Sequence, residues 1–170
     1  MLYSEADREA LHAELSGLRE RFEQYDSHVK SAVYSDEGGE GRSAVVSIWD
    51  SQDAADTAAE FLADLPGVVG RAGEDDSSFG TMGMFYTVKP DHREEFVDTF
   101  REVGAALEGM DGHLDTRLMV NEEDDNDMFI ASQWREKDDA MAFFRSDSFR
   151  DTVEWGREVL DDRPRHVFLA

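Results

Sequence analysis

The sequence predicts an α+β protein made of two similar halves, and three observations carry that prediction. His28 and His113 stand 85 positions apart, as do Trp49 and Trp134, which is half the length of the 170-residue chain. The same shift lays Arg8-Glu9 on Arg93-Glu94, Asp26 on Asp111, Ser47 on Ser132 and Asp53 on Asp138. Apolar character follows it too: Leu11, Leu15, Leu18 and Phe22 fall on Phe96, Phe100, Val103 and Leu107, as two copies of one folding unit require.

In the second half, Gly83 to Val88 (GMFYTV) is rich in aromatic and β-branched residues and predicts a strand. Pro90 and Asp91 then open a helix, with Phe96, Val97, Phe100, Val103 and Leu107 at helical spacing until Gly109 and Gly112 stop it. Leu114 to Val120 and Met128 to Trp134 read as a hairpin joined by an acidic turn, Asn121 to Asp127. Lys137 to Phe144 begins a further helix that breaks near Ser146 and resumes from Ser148 to Leu160. Pro164 ends it, and Arg165 to Leu169 (RHVFL) is a closing strand.

The order β-α-β-β-α-β is the ferredoxin-like unit, an antiparallel sheet with helices on one face. The first half repeats it with a helix from Ser4 to Phe22, a hairpin of Val29 to Ser35 and Ser43 to Trp49 around the loop Asp36 to Gly41, and a helix from Asp53 to Leu65. Only Met1 to Tyr3 stands where the first strand belongs, a clipped edge. Residues 1–73 and 79–170 are the expected repeats, the first degenerate, linked through Gly73 to Ser78 (GEDDSS). A module of that size is marginal alone, so each half needs an apolar face of the other.

Forty acidic residues against seventeen basic ones give a formal charge of -23, spread along the whole chain. A field of that sign repels nucleic acid and anionic lipid, which excludes both as partners. Such an acidic surface, with three lysines beside fourteen arginines, suits a salt-accumulating cell, where screening over about 3 Å at 1 M salt suppresses self-repulsion. The absence of cysteine excludes disulfides, thiolate metal sites and thiol catalysis. No apolar run approaches the roughly 18 residues of a membrane span, and Met1 to Ala10 does not read as a signal peptide, so a cytoplasmic protein is expected.

Gly112 to Phe149 resembles the antibiotic biosynthesis monooxygenase family, a branch of the dimeric α+β-barrel superfamily, in a two-copy form of haloarchaeal type. The resemblance rests on Asp111-Gly112-His113-Leu114, on Ser132-Gln133-Trp134 and on Ala140 to Phe144 followed by Ser146-Asp147-Ser148-Phe149. In the first half it extends to His28, Trp49 and Ala54 to Leu62. It implies an intramolecular dimeric α+β barrel in which one chain supplies both sheets, a pseudo-dimer, with association into a homodimer left open. It also implies oxygen-dependent chemistry on a planar aromatic or quinol, or on haem. The family's haem-degrading branch uses an Asn, a Trp and an axial His, whose places here are taken by Gly83, Phe143 and Val153. The cofactor is therefore expected to be none or haem, held by another ligand.

The candidate site lies in the second half. Phe85, Phe143, Phe144, Phe149 and Trp155, with Gly83 leaving room, read as the walls of a planar-ligand pocket, or else as the core of the larger half. By analogy with the family, Tyr86 or His113 would be the base. His28 and His113 read first as histidines hydrogen-bonded at a turn, and Trp49 and Trp134 as aromatics packing helix on sheet. Arg117 is a candidate for holding an anionic group such as a haem propionate, or a surface ion-pair member. No histidine has metal-binding spacing, and the acidic turn lacks the spaced ligands and glycine of a calcium loop. The alternatives are a non-catalytic haem- or small-molecule-binding protein and a structural or regulatory module pairing through its clipped edge.

Overall fold

Helix α1 (Arg8–Phe22) places Leu15, Leu18 and Phe22 on one face by their helical spacing, and all three are buried. They cover strands β2 (His28–Asp36) and β3 (Ser43–Trp49), an antiparallel hairpin whose Val33, Tyr34, Val45 and Val46 are buried as well. Strands β1 (Leu2–Ser4) and β4 (Val68–Arg71) complete an antiparallel set in the order β4-β1-β3-β2. The computed structural model describes residues 2–4, 8–38, 43–51, 53–54, 68–71 and 80–169. The first unit comprises Met1–Ala72 and Asn121–Glu123; the second comprises Gly73–Val120 and Asp124–Ala170.

The second unit runs β5 (Gly80–Thr87), a 3-10 turn (Pro90–His92), α2 (Arg93–Leu107), β6 (His113–Asn121), β7 (Asp124–Trp134), α3 (Lys137–Phe144), α4 (Asp147–Val159) and β8 (Arg165–Leu169). Its strands lie in the order β6-β7-β5-β8, with β5 antiparallel to both β7 and β8. One core packs Val88, Phe96, Val97, Leu118, Met128 and Val159; a second gathers Leu107, Trp134 and Ala140.

Several boundaries differ from expectation. The acidic run predicted as one long turn shrinks to Glu122 and Glu123, because Asp124 to Asp127 belong to β7. Asp127 pairs with Thr87 across the sheet and is buried, so ladder pairing overrides the low strand preference of aspartate. Leu2–Ser4 is a strand paired with both β3 and β4, and α1 begins at Arg8 instead of Ser4. The break near Ser146 is a capping site, with Ser146 Oγ accepting from the Phe149 N–H at 3.1 Å. Of the predicted helix from Asp53, the stretch beyond Ala54 lies outside the described residues, as do Gly39 to Gly41 and the linker Gly73 to Ser78.

Candidate functional site

A cavity of about 680 Å3 lies in the second unit, between β5 and β7 on one side and α2 and α4 on the other. Met84 and Tyr86 reach it from β5, two residues apart and so on one face of the sheet, with Ile130 beside them on β7. Helix α2 contributes Phe96, Thr99, Phe100 and Val103, a stripe of helical period. Helix α4 contributes Phe149, Thr152, Val153, Trp155 and Gly156. Arg157, Asp161, Asp162 and Arg163 add charge to an otherwise largely apolar lining.

The aromatic wall is braced. Trp155 stacks on Phe96 (5.9 Å, 19°), Phe96 tilts against Tyr86 (5.1 Å, 58°), and Trp155 Nε1 donates to Glu95 Oε1 at 2.9 Å. His92 Nδ1 lies 2.8 Å from the other Glu95 oxygen. Hydrogen bonds to His92 and then Trp155 hold the Glu95 carboxyl below its ordinary value. Tyr86 donates its hydroxyl to Met84 Sδ at 3.4 Å, and burial pushes its phenol above the ordinary tyrosine range. Burial thus favours the protonated phenol, the form that donates to Met84.

Of the residues singled out from the sequence, Tyr86, Phe149, Trp155 and Val153 line this cavity. Gly83 and Phe85 alternate to the opposite face of β5, where Phe85 stacks on Phe129 at 5.2 Å. Phe143 and Phe144 belong to the neighbouring cluster, Phe143 stacking on Trp134 at 6.0 Å; Phe149 touches both while also lining the cavity. Arg117 Nε donates to Asp115 Oδ2 at 3.1 Å and does not line the cavity. Met84, Phe96, Phe100 and Ile130 were not picked out as pocket residues, although period-2 alternation from Tyr86 and period-3.6 spacing in α2 mark the faces they share.

His113 is also elsewhere. Its Nε2 lies 2.7 Å from Thr116 Oγ1, which lies 2.8 Å from Ser132 Oγ, and its ring meets Trp134 edge-on at 5.2 Å. The first unit holds the same set: His28 Nε2 to Ser31 Oγ at 2.9 Å, Ser31 to Ser47 Oγ at 3.1 Å, and the His28 ring 4.9 Å from Trp49. Each imidazole bonds a hydroxyl of its own strand, and that hydroxyl bonds the serine of the neighbouring strand. Burial lowers both from the ordinary value of 6.5, more than Asp115 and Glu108 beside His113, or Glu23 beside His28, raise them.

A histidine with a depressed folded pKa binds its proton more readily when the chain unfolds. Its contribution to stability is therefore full above 6.5 and is lost as the pH falls below 6.5 through the lower folded value. At molar salt the thermal midpoint should fall between about pH 7 and pH 5, before the depressed carboxyls Glu95 and Glu123 titrate below 4.5. A His28→Gln/His113→Gln double variant should flatten that limb, and an unchanged slope would refute the assignment.

Among the described residues, no group of three or more His, Asp or Glu is placed to hold a metal ion, and no helix is long and apolar enough to cross a membrane. Haem asks for a strong axial donor. The described lining offers a thioether, Met84, already accepting from Tyr86, and a phenol that burial keeps protonated. The carboxylates of Asp161 and Asp162 add oxygen donors to that lining.

Residues 80–155, which span β5 to most of α4, match the antibiotic biosynthesis monooxygenase family. The match covers 76 of the chain's 170 residues. The whole chain superposes on the crystal structure of a "putative monooxygenase" from Fusobacterium nucleatum, covering 99% of this chain and 88% of that one at TM-score 0.54 and 13% identity. A similarly described protein from Lactobacillus acidophilus gives TM-score 0.51 at 10% identity, covering 99% and 92%. Both show the fold alone. In sequence, the chain is 71% identical to a "putative heme-binding protein" of Natronomonas pharaonis and 66% identical to one of Halobacterium salinarum. It is covered fully in both matches but spans 28% and 34% of those proteins. The chain is thus similar to a minor part of longer relatives.

Proposed function

We propose that the second unit binds a small planar aromatic or quinol in the cavity between its sheet and helices α2 and α4. The observation that carries this reading is the cavity itself, about 680 Å3 with Phe96, Phe100, Phe149 and Trp155 in its walls, the size and character of a small-molecule site. In the cofactor-free chemistry of the family, the ligand supplies the electrons to oxygen, and the protein positions it and excludes water. The present lining supports the positioning role.

The test uses Gly156, buried in α4 and open to the cavity. A Cβ there would meet Leu160 Cδ1 at 3.5 Å, an ordinary contact. Gly156→Ala should raise stability by about 0.4–1 kcal/mol through the unfolded chain and leave binding intact. Gly156→Leu should intrude on the cavity beside Trp155 and weaken 1,4-naphthoquinol binding at least about tenfold. Oxygen uptake that requires wild-type protein and fails in Gly156→Leu would establish an oxygenase; binding without uptake would establish a non-catalytic module. Equal binding by wild type and Gly156→Leu would overturn the cavity reading.

A second reading, haem binding, is favoured by the names of the relatives, although those names apply to proteins about three to four times as long. His166 stands opposite Met84 in the β5–β8 register and is the position such a reading would draw on. Haem titration at molar salt separates the two: a Soret band that disappears in His166→Ala would favour haem.

We also infer that the two units are copies of one folding unit. Each has its strands in the order fourth-first-third-second, one set read from the opposite end, and each carries the histidine–hydroxyl–hydroxyl–tryptophan set 85 positions apart. On this reading, expression of residues 79–170 alone should give a marginally stable domain, which urea unfolding would measure.

A further inference from the structure

On α4, Phe149, Thr152, Val153 and Gly156 follow the i, i+3, i+4, i+7 spacing of a single helix face, and all four line the cavity. Val153 is also 45% exposed, so the lining reaches the surface along this helix. Trp155, three positions after Thr152, flanks that face and lines the cavity from its edge. On α2 the lining stripe is Phe96, Thr99, Phe100 and Val103, and Glu95, four positions before Thr99, flanks it. The two flanks meet. Trp155 Nε1 donates to Glu95 Oε1 at 2.9 Å, and the indole stacks on the Phe96 ring at 5.9 Å and 19°. The Glu95 side chain is half-exposed, whereas Phe96 is buried. The indole therefore turns its polar edge to a solvated carboxylate while its ring borders the cavity.

We infer that Trp155 is a gate over the seam between α2 and α4, latched by Glu95, and that release of this latch sets how fast a ligand enters and leaves. This rests on the cavity being the ligand site. The latch is charge-assisted, because hydrogen bonds to His92 and Trp155 hold the Glu95 carboxyl below its ordinary value and so ionised near neutral pH. His92 Nδ1, 2.8 Å from the second Glu95 oxygen, steadies the carboxylate from the turn that precedes α2. Water reaches that carboxylate and can replace the indole as its donor, so the bond opens more readily than a buried one. Rotation of a partly exposed side chain is also far faster than separation of two packed helices.

The experiment is stopped-flow binding of 1-anilinonaphthalene-8-sulfonate to the whole chain at molar salt, followed by the emission of the probe. Gly156→Leu should bind it at least about tenfold more weakly, which locates the probe in the cavity. Glu95→Ala should raise the association and dissociation rates together by about 5- to 20-fold, the share of a charge-assisted hydrogen bond that survives exposure to water. The dissociation constant should stay within about twofold, because the walls that touch the probe are unchanged. Glu95→Gln keeps an acceptor without the charge and should fall between wild type and Glu95→Ala. Unchanged rates in Glu95→Ala, or weaker affinity at an unchanged association rate, would overturn the gate and leave the cavity reading standing. Equal binding by wild type and Gly156→Leu, or no binding by wild type, would overturn the cavity reading and the gate with it.

Discussion

Trp134→Ala is expected to lower the unfolding free energy by about 3–5 kcal/mol, as truncation of a fully enclosed tryptophan does. Trp134 has no exposed surface; it packs with Leu107 and Ala140, stacks on Phe143 at 6.0 Å and receives the His113 ring edge-on at 5.2 Å. It thus joins the end of β7 to α2 and α3. Trp134→Phe should cost much less. The buried indole N–H finds no acceptor among the described residues, and removing it recovers part of a desolvation penalty of about 1–3 kcal/mol. Urea unfolding at molar salt measures both variants. A Trp134→Ala protein within about 1 kcal/mol of wild type would contradict the enclosed packing.

Gly112→Ala should cost about 2–5 kcal/mol, from two separate sources. Gly112 has φ +78°, in the left-handed region where a side chain meets the following carbonyl, worth about 1–2 kcal/mol. A Cβ would also stand 1.9 Å from Asp139 Oδ2 and 2.6 Å from Asp139 Cβ, in the first turn of α3. The turn cannot open easily, because the Gly112 carbonyl accepts from the Arg135 N–H at 2.7 Å. Adding Asp139→Ala should restore part of the loss by removing the carboxylate, and leave the backbone strain behind. If Gly112→Ala alone unfolds at the wild-type urea concentration, the left-handed turn is refuted. The equivalent place in the first half is Ser27, and no residue other than glycine has positive φ among the described residues, so the two halves turn differently here.

Much of the second unit was legible from local chemistry. Ser146 stops one helix and caps the next, Pro164 precedes the last strand, and the apolar spacing from Phe96 to Leu107 marks the buried side of α2. Asp127 was not legible as strand, because its ladder partner Thr87 is supplied by β5, forty positions away. The cavity was half legible. Tyr86, Phe149 and Trp155 stood out as aromatics, but grouping Gly83 and Phe85 with Tyr86 ignored that neighbours on a strand face opposite ways. Phe143 and Phe144 have the same composition and helical setting as Phe149, and spacing along one helix does not say which apolar side chains meet Trp134 and which border open space.

Residue order by itself determined the 85-position echo, the succession of strands and helices in the second unit, the breaks at Ser146 and Pro164, and the acidic composition, because each depends on neighbours within a few positions or on composition; the strand Val68–Arg71 of the first unit was not foreseen. Tertiary structure alone decided that His113 spends its imidazole on Thr116, that Tyr86 is a donor, and that space remains between the sheet and helices α2 and α4. Those outcomes depend on distances between segments remote in the chain, and hydrophobic pattern records which faces turn inward without recording how completely they meet.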